Sequence, residues 1–437
     1  MTNSELTKSK AKPTFYYGWV ITVLAALMYG VKSGILLYGS GPIIDALIKE
    51  YGWSNSEVGI AFSLKSWFGF LTPIVGYAIV KYGPRRVLWI SGVVTAAATI
   101  MTAFATTPIQ FMVTYGIGLA IGMVFTSFLS IFAIVNNWWV GKRGLHTGIV
   151  NGAAGIGAAI FVPLMAWMIA SFGWQNAMIY SGLIILVFAV IPQWIFFRDR
   201  PEDMGLTADD GVVEEKAKKY YFSPVDWKTK DAIRTHQLWF VMLAWCGLTW
   251  AFMSVTLFAY TYLLGKGLSL GQVSAIQGGM GLFTVLGSLI AGLLVDKFGP
   301  RKILILTSIV NTAGILILIM ANSVPLLWVY SLVLGLGVGM TNPCVIPMIA
   351  SYYGNKNFGA IQGSVQWLLG LTAGLCPIVM GFIADQTKDY TTGFTIGIAV
   401  CGIAALLAWA AKPPKAPAHY YEEIDVEEYK SDNVQLS

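Results

Sequence analysis

The sequence predicts an all-α membrane protein of twelve transmembrane helices, built as two six-helix pseudo-repeats, and three observations predict it. The first is composition: of 437 residues, 56% are hydrophobic and only 11% are charged, whereas a soluble domain carries about 25% charged residues. The second is the presence of twelve apolar stretches of the length, about 20 residues, that a helix needs to cross a bilayer while satisfying its own backbone hydrogen bonds. The third is an internal repeat. Gly83-Pro84-Arg85-Arg86 returns as Gly299-Pro300-Arg301-Lys302, Gly122-Met123 returns as Gly339-Met340, and Ser54 with Glu57 returns as Ser269 with Gln272, at offsets of 216, 217 and 215 residues. Three matches at nearly one offset indicate a duplicated unit.

In chain order the apolar windows are 16–40, 54–80, 86–106, 109–136, 144–171, 175–197, 237–264, 270–295, 302–321, 325–351, 359–384 and 392–411. They divide the chain into an N-terminal six-helix half (1–197), a polar central loop (198–235), a C-terminal six-helix half (236–411) and an acidic tail (412–437). Met1 to Pro13 lacks a cleavable-signal pattern, because the apolar stretch after it is long enough to span. Ser54 with Glu57 and Ser269 with Gln272 read as capping boxes that open the second and eighth helices. The central loop holds Glu214-Glu215-Lys216-Ala217-Lys218-Lys219 and no apolar periodicity. The tail carries six acids between Glu422 and Asp432 and reads as disordered and solvated.

Charge placement gives orientation. With the N-terminus inside, 23 of the 28 lysines and arginines fall on cytoplasmic segments and only Lys49, Lys266 and Lys388 fall outside. The positive-inside rule therefore puts both termini in the cytoplasm of a multi-pass protein of the cell inner (plasma) membrane. It also explains the net charge of +6 without nucleic acid. The four cysteines and three histidines are dispersed, with no disulfide or metal-site spacing, and no cofactor is expected.

Two lysines remain. Lys32 and Lys65 sit inside otherwise uncharged apolar stretches, where a lysine near the bilayer centre costs about 2.5–3.5 kcal/mol. Lys65 lies eleven residues past Ser54, which is about 16 Å into the helix at 1.5 Å per residue. A lysine there either donates to the backbone of a broken helix, a structural role, or faces a central cavity and binds an anion. Tyr29 and Gln366, near mid-helix, are the favoured neutral partners for substrate. Tyr38, Asn136, Asn151, Trp250, Asn342, Gln362 and Trp367 are secondary candidates, each better explained by helix packing or interhelical hydrogen bonding than by ligand contact. Gly116-Ile-Gly118 and Gly335-Leu-Gly337-Val-Gly339 read as close-packing sites, since no nucleotide-loop lysine follows them. All 22 acidic residues fall outside the expected membrane interiors, at loops, helix ends or tails.

Gly292-Leu-Leu-Val-Asp296-Lys-Phe-Gly299-Pro-Arg301-Lys302 resembles the loop signature of the major facilitator superfamily, with Gly76 to Arg86 as its first-half counterpart. The resemblance implies the major facilitator fold, with Asp296, Arg301, Arg85, Gly83 and Gly299 as conformational gating residues. Val80 stands where the second half has Asp296. Within that superfamily the chain is similar to monocarboxylate porters and to the related oxalate–formate exchangers. The resemblance rests on Arg198 to Leu206, on Trp138-Trp139 with Lys142-Arg143-Gly144, on Gly52-Trp53-Ser54 and on Val31-Lys32-Ser33. It departs from that branch in helix eight, where Thr284 and Ser288 stand in place of charges, and in helix eleven, which carries no cation.

A membrane enzyme finds no catalytic constellation here. A solute sensor on a transporter fold and a secondary transporter both fit. The expected activity is transport of a small organic anion, a mono- or dicarboxylate, by alternating access in the bilayer, with anion exchange ahead of proton symport. A monomer is the default state.

Overall fold

A computed structural model describes residues 16–126, 128–139, 143–208, 220–354, 357–417 and 420. It contains twelve membrane-crossing segments. In the first half these are α1 (Gly18–Tyr51), α2 (55–82), α3 (Pro84–Thr102), α4 (108–138), α5 (143–172) and α6 (174–196). In the second half they are α7 (His236–Gly265), α8 (Leu270–Phe298), α9 (Pro300–Met320), α10 (Val324–Tyr353), α11 (Phe358–Thr387) and α12 (Thr391–Ala410). One end of the bundle carries the α2–α3 and α8–α9 turns and the described parts of the 198–235 segment, and is called the loop end. The opposite end is the far end.

Local chemistry sets the boundaries. Ser54 Oγ accepts from Glu57 N at 3.2 Å while Ser54 N donates to the Glu57 carboxylate at 2.8 Å, and Ser269 with Gln272 repeats this pairing. Both expected capping boxes are present. Gly83 and Gly299 adopt φ of 81° and 83° before a proline at the first helical position, a backbone that a side chain would strain. Gly173, at φ 80° and ψ 161°, divides α5 from α6.

Three elements differ from the sequence reading. First, α1 runs on past residue 40 to Tyr51: Gly39 (φ −72°, ψ 3°) departs from helical geometry but Ser40 resumes the helix, and the Asp45–Lys49 pair at 2.8 Å supports the last turns. Asp45 is therefore a buried carboxylate inside a spanning helix, which corrects the expectation that every acid lies outside the spans. Second, α4 is not continuous: Thr126 leaves the helical region and Phe128–Trp138 restarts it. The Thr126 hydroxyl bonds the Gly122 carbonyl at 2.9 Å and Ser130 bonds the Phe125 carbonyl at 2.7 Å, so hydroxyls satisfy backbone groups at the break. Third, the described parts of the central segment are not featureless. Ser223 and Trp227 donate their backbone N–H to the Ser351 and Tyr353 carbonyls, which fastens the segment to α10. Its charged run lies in 209–219 and the acidic run of the tail in 421–437, both outside the described residues.

The halves meet where side chains are smallest. A Cβ on Gly155 of α5 would stand 2.1 Å from the Gly281 carbonyl oxygen of α8, so the crossing tolerates only glycine. Gly335 and Gly339 of α10 press on α8 in the same manner, the close packing expected of that glycine run.

At the far end the halves are tied by hydrogen bonds. Asp385 of α11 accepts from Asn55 N and Nδ2 at 3.0 and 2.9 Å and from Ser56 N at 3.0 Å, capping the start of α2 across the interface. Tyr390 donates to Asn55 Oδ1 at 2.5 Å. Hydrogen bonds to a charged group are worth about 1.5–3 kcal/mol each. Asp385→Ala is therefore expected to speed amide hydrogen exchange at residues 55–58 by at least about tenfold, with the fold retained. Unchanged exchange there would show that the far end closes by packing alone.

Candidate functional site

A cavity of about 320 Å³ lies between α1, α2, α4, α7 and α11, and Tyr29, Lys32 and Lys65 all line it. No acidic residue lines it; the other walls are Ser33, Ser66 and Thr126 among apolar side chains such as Phe62, Met123 and Leu257. Lys32 stands at the end of the regular part of α1, just before a wider π-helical stretch, Gly34–Tyr38. Such stretches free backbone carbonyls from their usual partners.

The two lysines are not equivalent. Lys65 Nζ donates to the Leu36 carbonyl within that stretch at 2.8 Å and to the Tyr115 hydroxyl at 3.4 Å, and it lies 4.8 Å from the centres of the Phe62 and Tyr115 rings. It thus occupies the structural role weighed for it, a donor to the carbonyls of a broken helix, while also facing the cavity. Lys32 is only 5% exposed and its Nζ has no hydrogen-bond partner. A buried ammonium with no partner is strongly unfavourable, and an anion in the cavity is what would relieve it.

A second cavity of about 120 Å³ adjoins the first, sharing Tyr29 and Leu37, and is lined by Tyr38, Asn151, Thr284, Ser288 and Asn342 among others. A third, of about 400 Å³, shares Asn151 and Asn342 with the second and reaches the loop end at Tyr220 and Asp296. Neighbouring cavities thus share lining residues in series from the loop end to the lysines.

The other candidates fall as follows. Gln366 does not join the lysines: it lies half-buried on α11, accepting from Gln362 at 3.4 Å, eleven residues and about 16 Å along the helix from Pro377, the α11 residue of the cavity wall. Trp367 is 51% exposed on the outer surface, Trp250 lines neither inner cavity, and the Asn136 side chain lies outside the described residues. Arg85 and Arg301 are matched across the repeat. The Arg85 guanidinium donates to the Trp194 carbonyl at the end of α6 at 2.6 Å, and Arg301 donates to the Ala408 and Trp409 carbonyls at the end of α12. Asp199 accepts from the Arg85 backbone N–H at 2.7 Å and packs against Gly83. Asp296 is exposed on the wall of the loop-end cavity, close enough to Tyr220 that burial first, and then the Asp296 charge, push that phenol above its ordinary pKa. No salt bridge engages Asp296 among the described residues.

Three groups at the site were missed from sequence: Tyr115, Thr126 and Gln193. Gln193 Oε1 is buried without a partner, and it and Lys32 Nζ stand 3.6 and 3.9 Å from the point where a Cβ on Gly92 would lie. A lone amide in the apolar run of α6 was the available signal for it.

The sequence profile of the Major Facilitator Superfamily matches residues 18–284 and 264–428. The chain belongs to the major facilitator superfamily. It is thus a membrane transporter by family and not an enzyme. Among curated relatives, the "Probable sulfoacetate transporter" of Cupriavidus necator is 24% identical over 84% of this chain and 87% of that protein. The oxalate:formate antiporter of Oxalobacter formigenes is 25% identical over 65% of each. The resemblance to the organic-anion branch of the superfamily is therefore upheld. The fold matches that of a bacterial homolog of the human lysosomal transporter Spinster, in an inward-facing and occupied conformation, with a TM-score of 0.72 at 12% identity over 92% of this chain and 98% of that one.

Proposed function

We propose that this chain is a secondary transporter of a small organic anion, working by alternating access with anion exchange as its mode. The single observation that carries the reading is the buried, partnerless Lys32 ammonium in a cavity that holds a second lysine and no carboxylate. Sulfoacetate, oxalate and formate, named for two relatives, are all small organic anions. In this reading Lys32 anchors the acidic head, Lys65 leaves the Leu36 carbonyl to share it, and Tyr29 stands between the cavities. Lysines suit a mobile head group, since an ammonium is a point charge and lacks the rigid fork of an arginine.

Both termini lie in the cytoplasm in this orientation, so the loop end faces inward and the conformation described is open to the cytoplasm. Asp385 and Tyr390 then hold the outer gate shut, and Asp296 is released from the contact it makes when the inner gate closes, with Gly83 and Gly299 turning the loops and Arg85 and Arg301 fastening each half to itself. Proton symport is the second reading. It draws on Asp45, the buried carboxylate of α1, but Asp45 is paired with Lys49 and lines neither inner cavity.

A thermal-shift panel on the purified protein tests the anion assignment. Small carboxylates and sulfonates should raise the melting temperature, whereas ammonium-bearing and neutral solutes of equal size should not. Stabilisation by cations or neutral solutes alone would refute it.

A further inference from the structure

The chamber beside the lysines has its own chemistry, and that chemistry names part of the solute. We propose that the transported anion carries, besides one acidic head, an uncharged body bearing hydroxyl groups, which occupies the 120 Å³ chamber while the head meets Lys32. The inference rests on the anion reading above and narrows it.

No residue lining this chamber carries a charge, and about half are polar. The hydroxyls of Thr284, Ser288 and Thr341 already donate to the carbonyls of Met280 at 2.9 Å, Gly339 at 2.9 Å and Gly337 at 3.3 Å. A hydroxyl has one proton and two lone pairs, so these three keep acceptor capacity, Thr284 sharing its own with the Tyr38 phenol to which it is hydrogen-bonded. The side-chain amides of Asn151 and Asn342 make no hydrogen bond within the protein among the described residues, and they offer both donors and an acceptor. An alcohol, donor and acceptor at once, satisfies such a wall. A second carboxylate is acceptor only: the asparagine amides can donate to it, but no lysine in the chamber offsets its charge. An alkyl body would leave the amides dry and unpaired, which costs binding. Sites built to hydrogen-bond a hydroxyl discriminate strongly against analogues that lack it.

The test compares probes of equal length and different body on the full-length purified protein, by calorimetric titration: butanoate, its 2,3,4-trihydroxy derivative and butanedioate. The trihydroxy acid is expected to bind at least about tenfold more tightly than the other two. Thr284→Val and Ser288→Ala, near-isosteric changes, should bring it down to the affinity of butanoate, and Lys32→Gln should remove binding of all three. Butanoate or butanedioate binding as tightly as the trihydroxy acid would overturn the inference and leave the anion reading standing. A preference for the trihydroxy acid that survives both chamber variants would overturn the assignment of its body to this chamber. Failure of every anion to bind the wild-type protein would sink the anion reading, and this inference with it.

Discussion

Lys32→Ala is expected to weaken anion binding by about 100-fold or more, the scale of losing one member of a buried charge pair, about 2–5 kcal/mol. The same substitution should raise the melting temperature of the anion-free protein, because it deletes a buried ammonium that no group in the protein satisfies. Those opposite effects distinguish a binding lysine from a structural one. Lys65→Ala should also weaken binding, but it should lower the melting temperature of the empty protein, since Lys65 holds the Leu36 carbonyl at 2.8 Å. Lys32→Arg should restore part of the affinity and Lys32→Gln little, if charge is what the site requires. Wild-type anion stabilisation in Lys32→Ala would remove Lys32 from the site.

How much of this was legible in the sequence depends on the length scale of each cause. The number of spans, the capping boxes and the close packing of the Gly335–Gly339 run follow from local composition and periodicity, and the structure carries these. Lys32 and Lys65 were visible for a similar reason: a charge in an apolar run has a cost that its neighbours in sequence do not relieve. Their difference was not visible. It arises from a π-helical stretch in α1 that presents Leu36 to a lysine twenty-nine residues away, and from Gln193 approaching across Gly92. Gln366 lies apart from the lysines because residence on a cavity-lining helix does not fix a residue's depth along it. The run of α1 past residue 40 was missed because its last turns are polar yet helical, and with it the burial of Asp45. Arg85 and Asp199 illustrate the remaining gap, since their contact spans 114 residues.

The mode of transport follows from the same uncompensated charge. An empty carrier must pass through a state closed at both ends, with Lys32 sealed in a dry cavity and no anion beside it. A loaded carrier makes the same passage with the charge paired. The return step should therefore need an anion. Uptake of a labelled anion identified by the thermal-shift panel, into proteoliposomes preloaded with the same unlabelled anion and into empty ones, measures this most directly. Uptake is expected to be at least about tenfold faster into preloaded vesicles, for which a barrier difference of about 1.4 kcal/mol is enough, with little change when a protonophore collapses the pH gradient. Equal uptake into empty vesicles, abolished by the protonophore, would contradict it and establish proton symport instead.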